Sequence, residues 1–219
     1  MKSIRPVASL LVFVIGLFMA VACGPHGSLP TDVAAPGNGS AVSAGSSSAA
    51  VPAPGTCHIS NRNNQLLPDH GCTPGTTNPD VRQDNLNSTI CKTGWTKTVR
   101  PPVSVTNKLK KQIDQAYGLS TSTQGELDHL ISLELGGAPS DPRNLWVEPG
   151  PIPNPKDEVE NQLHEAVCAG LISLQVGQQN IAVAWTTAID VSGLSVTGGR
   201  VCLRNNPSRC AASRHGLGE

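Results

Sequence analysis

"ELDHLISLELGG" (Glu126 to Gly137) is the stretch that decides how this chain is read. Leu130, Ile131, Leu133 and Leu135 supply an apolar alternation, which predicts a strand. Asp128 and His129 stand where that strand begins, and Gly136-Gly137 lets the backbone turn back. Two adjacent polar side chains on a stiff hairpin make a good platform for a site. The returning strand is predicted in "DPRNLWVEP" (141–149), where Leu145 and Val147 alternate with Asn144, Trp146 and Glu148. "GPIPNP" then leads into a helix with Asn154 as its cap and Pro155 as its first residue. Val159, Leu163, Ala166 and Val167 form its apolar stripe, and Gly170 stops it. The order from Asp128 to His164 is strand, loop, strand, helix. That is a ββα unit, in which a hairpin and a helix can clamp one metal ion.

Working outward, "SVTNKLKKQIDQAYG" predicts a helix capped by Thr106 or Asn107 and ended by Gly118. Before it, "TGWTKTVRPP" reads as strand-like up to Pro101, and residues 57–91 read as loop-rich. A further helix is predicted from Ser173, burying Leu174, Ile181, Val183 or Ala184, and Trp185. The fold class is α+β, with a packed domain over residues 56–190. The tail, 191–219, is rich in Gly, Ser and Arg, and its Cys202 and Cys210 could close a small loop. With Tyr117 the one tyrosine and both phenylalanines near the N-terminus, Trp95, Trp146 and Trp185 are needed for the core.

Residues 1–22 read as an export signal, with Lys2 and Arg5 before an apolar run from Val7 to Ala22. Ala20-Val21-Ala22 suits ordinary cleavage. The same residues followed by Cys23 form a loose lipobox, so Cys23 is a candidate for lipid attachment and membrane anchoring, with free secretion the alternative. Residues 23–55 are Gly, Ala, Ser and Pro with almost no charge, a flexible tether. Of seven cysteines, six remain if Cys23 carries a lipid, an even number suited to three disulfides in an oxidising compartment. Sixteen basic and sixteen acidic residues cancel, which counts mildly against a nucleic-acid partner. From Ile90 to Lys111, however, six basic residues occur and no acidic one. A local basic face is one reading of that run and an ordinary solvated surface the other.

"DHLISLELGG…DPRNLW" resembles the HNH nucleases of the ββα-metal class. The chain is more specifically similar to exported bacterial HNH-type proteins that share five segments. Here these are Ile90 to Pro102, Leu127 to Gly137, Asn144 to Pro149, Lys156 to Gly170 and Ile181 to Trp185. Ser132 and Val147 depart from the family's prolines, and the paired CxxC zinc knuckles of many HNH proteins are absent. The resemblance implies His129 as the general base that takes a proton from water, with Asn144 bracing the loop and orienting His129. It implies Asp128 as a ligand of one divalent ion, Mg²⁺ or Mn²⁺, with Glu160 and His164 as helix ligands and Asp157 behind them. Arg100 and Arg143 are candidate phosphate contacts. The family pattern also implies a Cys91–Cys168 disulfide, which leaves Cys57–Cys72 and Cys202–Cys210.

Together these features point to an exported, metal-dependent endonuclease acting on DNA ahead of RNA, with little sequence preference, since no base-reading element is evident. A catalytically silent cell-surface binding module that keeps the fold is the alternative. An enzyme acting on another phosphate or cell-wall ester is the third.

Overall fold

The computed structural model describes residues 49–120 and 125–212. The predicted export signal, Cys23 and the tether up to residue 48 lie outside the described residues. Two short strands, β1 (Ser60–Arg62) and β2 (Gln65–Leu67), pair across a turn in which Asn63 and Asn64 both take positive φ. Two helices come next, α1 (Trp95–Val99) and α2 (Val103–Ala116). The hairpin β3 (Gly125–His129) and β4 (Leu145–Pro149) is antiparallel, and α3 (Pro155–Cys168) succeeds it. Helix α4 (Leu174–Ala184) runs through a 3₁₀ turn into α5 (Ala188–Val191). A three-stranded antiparallel sheet, β5 (Leu194–Thr197), β6 (Arg200–Leu203) and β7 (Asn206–Cys210), closes the fold.

Three disulfides staple these pieces: Cys57–Cys72, Cys91–Cys168 and Cys202–Cys210. Such bonds are typical of exported proteins. Among the described residues, no helix is long and apolar enough to cross a membrane.

Two apolar clusters flank the hairpin. One joins Ile113 and Ala116 of α2, and Tyr117 just after it, to Leu145, Trp146 and Val147 of β4. The other gathers Leu163, Val167, Ile181 and Trp185 with Leu194 and Val201 from the terminal sheet. That second cluster moves the domain boundary. Residues 194–211 pack on the core, and Ala211 is itself buried, so the domain does not end at 190.

The Asn154 cap with Pro155 in first place is present, and Asp157 completes a capping box by accepting from the Asn154 amide. Three expectations are corrected and one open alternative is resolved. The alternation at Leu130–Leu135 is not a strand. β3 ends at His129, and Leu133–Leu135 form a 3₁₀ turn whose leucines still point inward. Trp95–Val99 is helical, starting after Gly94 at φ 78. Helix α2 starts at Val103, directly after Pro102, rather than at Thr106 or Asn107. In α4, Val183 is exposed and Ala184 is the buried alternative.

Candidate functional site

The register of the hairpin sets the site. Asp128 pairs with Trp146, His129 with Leu145 and Glu126 with Glu148. Side chains alternate along a strand, so Glu126 and Asp128 share one face, and Leu127 and His129 share the other. The acidic face meets the beginning of α3. Asn154 Nδ2 donates to Glu126 Oε1 at 2.6 Å. Trp146 Nε1 donates to Asp128 Oδ2 at 2.9 Å. The ammonium of Lys156 reaches the same Asp128 oxygen at 2.8 Å and the carbonyl oxygen of His129 at 2.8 Å. It also binds Glu160 Oε1, one turn along α3.

His129 is fixed by the loop that leaves β3. Its Nε2 lies 3.0 Å from the Pro139 carbonyl oxygen. A carbonyl can only accept, so Nε2 carries the hydrogen and Nδ1 keeps the lone pair. The loop that presents Pro139 is held by Asn144, a fully buried side chain. Asn144 Oδ1 accepts from Ile131 N at 2.9 Å, and Nδ2 donates to Ile131 O at 2.9 Å and Ala138 O at 3.1 Å. The amide thus stands in for a neighbouring strand and satisfies backbone groups that would otherwise be buried unpaired. Gly137 makes this possible, because a Cβ there would lie 1.8 Å from Ile131 O.

Electrostatics at the site derive from burial. Desolvation lowers the His129 pKa, against the Pro139 bond and the Asp128 charge, which favours a neutral ring. Burial pushes Glu148 up to about 8, helped by the negative charges of Asp128 and Glu126. Burial likewise raises Glu126 against its bond from Asn154, and raises Glu160 despite the ammonium beside it. For Lys156, burial works against the charge, but Asp128 and then Glu160 outweigh it and hold the ammonium protonated.

Two clefts meet at His129. One, about 240 Å³, is acidic and is bordered by Asp128, Glu134, Asp157 and Glu160. The other, about 360 Å³, lies between β3 and α2 and is bordered by Asn107, Lys110, Val103 and Pro139. Arg100 and His129 border both.

The residues singled out in the sequence therefore divide. Asp128, His129, Glu160, Asp157 and Arg100 come together around the acidic cleft, with Asn144 behind them. His164 does not join them. It is buried, with Nε2 2.9 Å from Ile90 O and 3.3 Å from Cys168 Sγ. The reason is geometric: it lies one turn beyond Glu160, on the part of α3 that packs against the Cys91–Cys168 disulfide. Arg143 is also turned away. Its guanidinium grips Asp141 through Nε (3.0 Å) and Nη2 (2.6 Å), which spends its charge on the turn before β4.

The implied ligand set does not fit one divalent ion. His164 is absent from the cleft, and Asp128 Oδ2 and Glu160 Oε1 are both taken by the Lys156 ammonium. Among the described residues, the one group whose ligand atoms all lie within 4.8 Å of one another is Cys91, His164 and Cys168. Its two sulfurs are bonded to each other. A metal there needs thiolates, so that cluster could hold an ion only once the disulfide is reduced.

Sequence reading missed Lys156 and Glu148. Two signals for Lys156 were present. A cation in the first turn of a helix faces the positive end of the dipole, and Lys placed four residues before Glu is the weaker orientation of such a pair. "PKDEVE" carries both anomalies, and burial against Asp128 explains them. For Glu148 the signal is its place in an otherwise apolar strand ending. Comparison of the chain with protein families, curated proteins and solved structures returns no match.

Proposed function

We propose that this protein is an exported hydrolase of phosphodiester bonds, a nuclease of the HNH kind acting on DNA ahead of RNA, with His129 as the base. One observation carries the reading. A neutral, orientation-locked imidazole sits where an acidic cleft joins a largely apolar one, with Arg100 at the junction, and is held by a loop braced by a buried Asn. Nδ1 of His129 takes a proton from the attacking water, its lone pair kept free by the burial that lowers its pKa; as the P–O bond breaks, the leaving oxygen takes its proton from solvent. Arg100 receives the phosphate at the junction, where a guanidinium can bind two of its oxygens. Asn107, on the same cleft, extends the contact along the nucleic-acid backbone; Lys110 beside it is paired with Asp114. Asp128 and Lys156 act from behind, fixing the end of β3. These steps use the chain's own groups. The predicted Mg²⁺ or Mn²⁺ dependence belongs to this proposal as a question for the assay, since the implied ligands do not converge. Attachment through a lipid on Cys23, or free secretion, belongs to it too.

The test is nicking of supercoiled plasmid by the disulfide-intact protein, with Mg²⁺, Mn²⁺ or EDTA, beside His129→Ala. Loss of nicking by roughly 100-fold or more in the variant is expected. The silent binding module is favoured by one specific observation, the ammonium filling the cation seat. It becomes the better reading if wild type and variant are equally inert under all conditions.

A further inference from the structure

Lys156 is the most deeply buried charge among the described residues, at 0% exposure. An ammonium has three protons. Here they meet Asp128 Oδ2, the His129 carbonyl and Glu160 Oε1. None is left for a substrate, so Lys156 touches no reacting group and acts by position. A buried charge is tolerated only when paired and hydrogen-bonded in this way. The partners are what a hard divalent ion would use, two carboxylates and a backbone carbonyl. Close by, Glu148 is 5% exposed and its Oε2 is buried with no hydrogen-bond partner. This face of the hairpin therefore offers oxygen donors in excess of the cation it holds.

We propose that this cation seat is filled by the chain itself: the Lys156 ammonium occupies the place between Asp128 and Glu160, and no divalent ion enters there while Lys156 is present. The inference goes beyond the hydrolytic reading and does not depend on it, since cation binding is measured without substrate. Removing the ammonium leaves two facing carboxylates and the His129 carbonyl with nothing between them. A divalent ion then restores the balance that Lys156 supplied. If the protein uses a divalent ion while intact, that ion sits elsewhere.

The experiment is titration of the full-length, disulfide-intact protein with Mn²⁺, monitored by calorimetry and by the Mn²⁺ paramagnetic resonance signal. Wild type, Asp128→Asn, Lys156→Met and the double variant are compared. Wild type and Asp128→Asn are expected to bind Mn²⁺ alike, within about twofold. Lys156→Met is expected to gain one site at least tenfold tighter than any in wild type, and the double variant to lose it. Loss of a wild-type Mn²⁺ site in Asp128→Asn overturns the proposal, because the ion then already sits at Asp128. A folded Lys156→Met with no new site overturns it as well. If Lys156→Met does not fold, the wild-type and Asp128→Asn pair decides: equal binding supports the proposal and loss overturns it.

Discussion

Glu148→Gln should make the protein more stable at alkaline pH and leave it nearly unchanged at pH 5. Glu148 is 5% exposed, lies opposite Glu126 across the hairpin and has an oxygen without a partner. Burial, then repulsion from Asp128, raises its carboxyl from 4.5 to about 8. The folded protein therefore holds a proton that the unfolded chain has released. The stabilisation is fully present below about pH 4.5, declines as pH rises and is gone above about pH 8. The full gap corresponds to about 5 kcal/mol at 1.36 kcal/mol per pH unit, an upper bound. Relaxation around the site and water entry should reduce what is seen to roughly half of that. Gln is neutral throughout, so the variant lacks this loss. Urea unfolding monitored by tryptophan fluorescence, in EDTA at pH 5, 7 and 8.5, gives the difference directly. The variant should gain roughly 2 kcal/mol over wild type between pH 5 and 8.5. Parallel pH dependences in the two proteins would refute the reasoning, because Glu148 would then ionise inside the fold at little cost.

Other perturbations test the frame around the site. Asn144→Ala removes three buried hydrogen bonds and leaves Ile131 and Ala138 unpaired, so unfolding should be easier by about 3 kcal/mol or more. Asn144→Asp should not rescue it, since a carboxylate cannot donate to the two carbonyls; a loss under about 1 kcal/mol would count against the brace. Replacing Cys91 and Cys168 by Ser opens a closure of 77 residues and should cost roughly 4 kcal/mol. The equivalent change at Cys202 and Cys210, 8 apart, should cost roughly 2 kcal/mol, and equal losses would contradict the loop-entropy account. Asp141 is held below its ordinary 3.8, first by the hydrogen bond from the Arg143 side chain. Its contribution is present above that value and is lost as pH falls through the lower folded value. Asp141→Asn should therefore lower the melting temperature at pH 7 and have a smaller effect at pH 2.5. An equal effect at both would show that the ion pair is idle.

Where a local rule decided the structure, the sequence was legible. Asn154-Pro155 reads as a cap because the side chain, the missing N–H and the apolar stripe after them all agree. Asp128, His129 and Asn144 were found, and the structure brings them to one end of the hairpin. The Leu130–Leu135 alternation misled because inward-pointing leucines serve a buried turn as well as a strand. What separates the two is where the backbone bonds go, and here those of Ile131 go to the Asn144 side chain, which no periodicity reports. His164 misled for a related reason. Spacing along a helix puts it one turn from Glu160, but a turn is about 5.4 Å, enough to carry it from the cleft to the disulfide. The tail was legible and was passed over. Gly198-Gly199 between Val196 and Val201 is a hairpin signal, and β5 and β6 pair across it.

The position of His129 depends on a few contacts outside any ladder, and that bears on how a site can be built without a sheet. β3 stops at His129, so no ladder holds the next ten residues. Backbone bonds with Thr76 and Asn78 hold Ala138 and Gly136 on one side, and one buried amide, Asn144, ties Ile131 to Ala138 on the other, next to the Pro139 carbonyl that meets the imidazole. At its other side the same histidine gives its carbonyl to Lys156, and through that ammonium to Asp128 and Glu160 on α3. The ring is thus set by a neutral brace before it and a charged brace behind it. The two braces differ in kind. Removing Asn144 leaves buried dipoles unpaired, whereas removing Lys156 leaves buried charges uncompensated, a larger penalty that a metal ion can relieve and a water molecule cannot. The positioning of His129 should therefore be rescued by divalent ions in a Lys156 variant and by nothing comparable in an Asn144 variant.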